Sequence, residues 1–87
     1  MKKPSFADVK SDMEEACLVL RSFTLAQNGL KERDGIDAIR RVNALCDRIN
    51  VLFATGPHVK AAIFIVNSAR TRVLAAEARL AVLQKAK

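Results

Sequence analysis

The chain contains no tryptophan and no tyrosine, and its aromatic residues are Phe6, Phe23, Phe53 and Phe64. A core built from it is aliphatic, and the ring platforms on which single-stranded nucleic acid or flipped bases stack are nearly missing. Cysteine is confined to Cys17 and Cys46, and histidine to His58, with no Cys-x-x-Cys or Cys/His cluster, so no zinc site is spelled out. Three glycines are too few and too scattered for a Gly-rich phosphate loop. The longest apolar run, Ala61 to Val66, is far too short to span a bilayer. Met1, Lys2 and Lys3 lead into Pro4, Ser5 and charged residues, not into the apolar segment of a secretory signal. These absences predict no cofactor, no metal and no membrane span, and place the chain in a reducing cytoplasm.

Acidic residues are also scarce in one place. Beyond Gly56 the chain carries Lys60, Arg70, Arg72, Arg79, Lys85 and Lys87 against Glu77 alone, and this stretch supplies nearly all of the formal net charge of +6. Such asymmetry suits an acidic partner, protein or nucleic acid. It is equally the ordinary pattern of a solvated helix face whose basic end complements the helix dipole.

What is present is helical periodicity. The 87 residues form one domain, 1–87, too small to bury more than about 60–65% of its unfolded surface unless helices are long or subunits associate. Ser5 reads as a helix cap with Asp8 at the third helical position. Phe6, Val9, Met13, Ala16, Leu20 and Phe23 then recur at alternating spacings of three and four, a helical stripe. Asn28-Gly29 signals the end, giving a first helix over 5–27. Residues 30–35 read as a polar connector in which Asp34 caps a second helix, 34–54, with the stripe Ile36, Ile39, Val42, Cys46, Ile49 and Phe53. Thr55-Gly56-Pro57 ends it, and Pro57 is suited to the first position of a third helix, 57–85. In that helix Ala62, Ala69 and Ala76 recur every seven residues beside Val59, Val66, Val73 and Leu80. Flat alanine positions let neighbouring helices approach closely.

Short connectors favour antiparallel neighbours. Folding the first hairpin pairs Phe23 with Ile39, Leu20 with Val42, Ala16 with Cys46, Met13 with Ile49 and Val9 with Phe53. The second turn brings Ile49 to Ile63 and Cys46 to Val66, so both hairpins imply the same layers. The fold expected is an all-α antiparallel three-helix bundle with a long C-terminal helix. Cys17 and Cys46 fall at one level of it, close enough for oxidation to join them, or else two small thiols of a reduced core.

The third helix is longer than its partners, so its end from Arg79 onward is expected to overhang with Leu80, Val82 and Leu83 exposed. Leu18, Val19, Leu25, Val51, Phe64, Ile65 and Leu74 also lie off the three stripes. This apolar surplus predicts a homodimer through the third helix, although broad stripes are also normal in compact bundles.

Candidate chemistry is sparse. His58 has no Ser, Cys or carboxylate signature near it and lacks the Lys-Gly that follows phosphotransfer histidines, so it reads as a solvated first-turn residue. Asp8, Asp12 and Glu15 share a face of the first helix without a histidine to complete a di-metal motif. Small helical-dimer enzymes bury several cations in the bundle, whereas these stripes are apolar and Arg70 alone approaches such a level. The sequence therefore suggests a non-enzymatic regulatory or adaptor protein of the kind common in bacteria and phages. Phe64, Leu74, Leu80, Val82 and Leu83 are its expected apolar contacts with a protein partner, and Arg72 and Arg79 steer. The competing expectation is a nucleic-acid-binding accessory protein contacting phosphates through Lys60, Arg70, Arg72, Arg79, Lys85 and Lys87.

Overall fold

A computed structural model describes residues 4–25 and 31–85. The Asn28-Gly29 turn, the end of the first helix near Gln27, and Lys87 lie outside the described residues. Three helices, α1 (Phe6–Leu25), α2 (Glu32–Leu52) and α3 (Val59–Lys85), pack against one another, and there is no strand among the described residues.

Local chemistry sets the ends. The Asp8 amide donates to the Ser5 hydroxyl at 3.1 Å, and the Val9 amide to the Ser5 carbonyl at 3.1 Å, so Ser5 caps α1 as its sequence implies. Asp34 does not cap α2. The helix starts two residues earlier, behind an extended Lys31 (φ −109°, ψ 131°) whose side chain makes no cap bond. Glu32 and Asp34 lie in the first turn, where negative charge complements the exposed amides. At the other end the Phe53 amide bonds the Ile49 carbonyl at 2.9 Å. Gly56 takes φ +102°, a backbone conformation that side chains disfavour, and so turns the chain. Pro57 precedes α3 instead of opening it: the His58 carbonyl accepts the first α-type bond, from Ala62 at 2.8 Å.

The core follows the stripes closely. Val9, Met13, Ala16, Leu20 and Phe23 are buried from α1, and Val42, Cys46, Ile49 and Phe53 from α2 and its end. From α3 come Ala62, Val66, Ala69, Val73 and Ala76, alternating small and medium. A helix that touches both of its neighbours needs such a narrow edge, because larger side chains would hold the three axes apart.

The start of α2 and one pairing on α3 depart from expectation. In the first turns of α2, Gly35 and Ala38 are buried while Ile36 and Ile39 are half-buried. The Phe23 ring lies against Gly35, and only a residue without a side chain leaves room for it. On α3, Ile63 does not face Ile49. It is 52% exposed, and the core position at its level is Ala62, about 100° round the helix.

The end of α3 is covered better than an unsupported overhang. Leu80 and Leu83 pack against the core, and Leu83 shares a hollow with Ile36 of α2. The first turns of α2, with Glu32, Arg33 and Ile36, line that hollow. At the opposite end Phe6, Phe53 and His58 form an aromatic cap. Phe6 meets Phe53 edge-to-face at 5.2 Å, and His58 stacks flat on Phe6 at 4.5 Å. His58 is exposed, but it is a packing partner and not merely a solvated first-turn residue.

Candidate docking groove

The acidic flank of α1 is matched within the chain. Glu15 approaches Arg41 at 3.9 Å, and Asp12 lines a shallow hollow with Arg41 and Arg48 of α2. The opposite flank of α1 has a different character. Together with α3 it forms an open groove of about 770 Å³. Met13, Cys17, Ile65 and Ala69 form its floor, and Leu18 and Phe64 stand along its sides. Met13 and Ala69 belong to the core, whereas Leu18 is 63% and Phe64 72% exposed. Lys10, Arg21 and Arg72 rim the groove, opposed by Glu14.

Helical spacing explains the arrangement. Cys17 and Leu18 follow the buried Ala16 round α1 by about 100° and about 200°, and carry apolar surface off the core stripe. Phe64 and Ser68 are a turn apart on α3, with Ile65 between them and the core. Small residues at Ala61, Ser68 and Ala69 keep the α3 wall low.

The structure divides the anticipated contact residues. Phe64 and Arg72 line the groove. Leu74 is 67% exposed but lies about 80° round α3 from Phe64, outside the groove lining. Val82 is 58% exposed near the helix end. Leu80 and Leu83 are half-buried in the core margin, and Arg79 is half-buried beside them. Lys60 and Lys85 are exposed at opposite ends of α3. Arg70 acts on Cys46 of α2, and Arg72 on Cys17 of α1, so these two cations lie on opposite flanks of α3. The basic residues of α3 therefore do not converge on one track.

Sequence reasoning missed the contribution of α1. Leu18 is recognisable as surplus, but nothing in its spacing says that it lines one groove with Phe64. Lys10 and Arg21 gave no signal beyond their charge.

The site offers little to covalent chemistry. Burial pushes the Cys17 thiol above its ordinary 9.0, with the Arg72 guanidinium drawing it partly back. Burial likewise raises Cys46, and Arg70 opposes the rise by charge and by hydrogen bonding. Both cysteines are free, and a raised pKa leaves few thiolates at neutral pH. Among the described residues no group of three or more His, Cys, Asp or Glu side chains gathers to hold a metal ion, and no helix is long and apolar enough to cross a membrane.

No protein-family model, curated protein or solved structure matches the chain.

Proposed function

We propose that this protein is a small non-enzymatic adaptor or regulator that acts by laying helix surface against a protein partner, and that the α1–α3 groove is its binding surface. The observation that carries this reading is the exposure of Phe64 and Leu18 in a groove that also reaches the buried Met13 and Ala69. Large apolar side chains in an open groove lose free energy to water until something covers them, at about 25 cal/mol per Å². Cations at the rim are suited to orienting the partner and speeding its arrival.

The fold reading that accompanies it is an antiparallel order of helices. It is supported by Phe6 at the start of α1 meeting Phe53 at the end of α2, and by Phe23 near the end of α1 lying on Gly35 near the start of α2. A pairing of two copies along the other flank of α3 fits the same surface logic. Ile63 and Leu74 are exposed there, and helical spacing sets Arg70 and Glu77, of opposite sign, beside them. An interface that meets itself needs both signs.

The experiment is site-specific photocrosslinking in the host cell, with benzoylphenylalanine in place of Phe64 and, as control, in place of the exposed Ala44 on α2. A protein adduct from position 64 and none from position 44 is the expected result. Nucleic-acid adducts from position 64, or equal labelling from both positions, would overturn the reading.

A further inference from the structure

Resting on that reading of the groove, we propose that its occupant is an amphipathic helix whose apolar stripe is flanked by Asp and Glu, and that it is not a second copy of this chain. Shape supplies the first half. Two helical ridges with an apolar trough between them are the seat into which a third helix packs at about 8–10 Å between axes. The α1 side of the trough runs from Phe6 to Arg21, roughly 22 Å, which is about four turns of a bound helix. Alanine and serine on the α3 wall allow a close approach, and Phe64 and Leu18 offer large anchors.

Charge supplies the second half. Three cations, Lys10, Arg21 and Arg72, face the trough against the single carboxylate of Glu14. A helix with Asp or Glu beside its apolar stripe would set a carboxylate against each of them. A second copy docked by two-fold symmetry would instead bring six cations together with only two carboxylates. The acidic flank of α1 in another copy cannot relieve this by symmetry. It faces Arg41 and Arg48 of its own chain, and using it would give a head-to-tail contact that does not close.

The test is selection on the full 87-residue chain from a displayed library of helical peptides about four turns long. The library carries a fixed Leu/Ile stripe and leaves Glu, Lys and Gln free at all other positions. We expect Glu to be enriched beside the stripe and the selected peptide to shift the amide resonances of Cys17, Phe64 and Arg72. Binding should weaken about tenfold or more in Arg72→Glu and in Phe64→Ala, since both side chains are on the surface and their loss leaves the core intact. Equal enrichment of Lys and Glu in peptides that still depend on Phe64 would overturn the acidic partner and leave the groove standing. No enrichment, or binders indifferent to both Phe64→Ala and Leu18→Ala, would overturn the groove as well. Sedimentation of the chain alone as a dimer that Phe64→Glu dissociates would assign the groove to a second copy and overturn the proposal.

Discussion

The ring of Phe23 occupies the space into which a Cβ on Gly35 would project. Gly35 lies inside α2, where glycine weakens a helix by about 1 kcal/mol relative to alanine. A glycine inside this regular helix therefore has a packing reason. Gly35→Ala gains that propensity but forces the buried ring aside, and overpacking of this kind costs about 1–3 kcal/mol. We expect a net loss of stability in urea unfolding, with part of it restored when Phe23 is also changed to Leu. A Gly35→Ala variant at least as stable as the parent would refute the close contact.

The narrow edge of α3 makes a second expectation. Ala69 is 1% exposed and touches the other helices, whereas Ala75 on the same helix is exposed. Ala69→Leu should cost about 1–3 kcal/mol through overpacking. Ala75→Leu should stay within about 0.5 kcal/mol of the parent. Thermal melts of the two variants side by side decide it, and equal melting temperatures would mean that the flat stripe does not set the helix spacing.

The aromatic cap couples three segments of sequence. Phe6→Leu keeps the apolar volume but removes the flat stack with His58 and the edge contact with Phe53, each worth about 0.5–1.5 kcal/mol. A double-mutant cycle of Phe6→Leu with His58→Ala should therefore return a favourable coupling energy within that range. Strict additivity of the two substitutions would show that the rings are neighbours without an energetic link.

The thiols give a pH dependence with a definite sign. Both cysteines have folded pKa values raised above 9.0, first through burial. The unfolded chain therefore releases its thiol protons at lower pH than the folded chain does. In the window that opens near pH 9 the unfolded state binds fewer protons, so stability falls as pH rises through the folded pKa values. The parent should lose more melting temperature between pH 7 and pH 10 than a Cys17→Ala/Cys46→Ala variant loses, even though the variant starts lower because Cys46 fills the core. Parallel pH profiles for the two proteins would contradict the burial of these thiols.

The legibility of the sequence differed from element to element. The α1 stripe and the Ala/Val alternation of α3 are readable because apolar residues recur at the period of a helix, and Ser5 because a hydroxyl before such a stripe is a cap. Gly35 was misread as connector, since glycine beside a charged stretch resembles a loop until the ring that needs its space is known. The register of the second turn sets Ile63 opposite Ile49, whereas a helix wedged between two others selects its neighbour Ala62 for size. Leu80 and Leu83 could not be assigned cover from their own segment, because the cover comes from turns of α2 far away in the chain.

Composition and periodicity alone determined that this chain forms three helices with an aliphatic core, and that its last third is basic, because both follow from the order of residues along each helix. The pairing of flanks was decided by tertiary packing. The angle at which each helix is rotated against the others brought Leu18 and Phe64 to one groove, turned Arg70 and Arg72 to opposite sides, and set the acids of α1 against the arginines of α2. Rotation about a helix axis is fixed by the volumes of side chains on other helices, and no single segment carries that information.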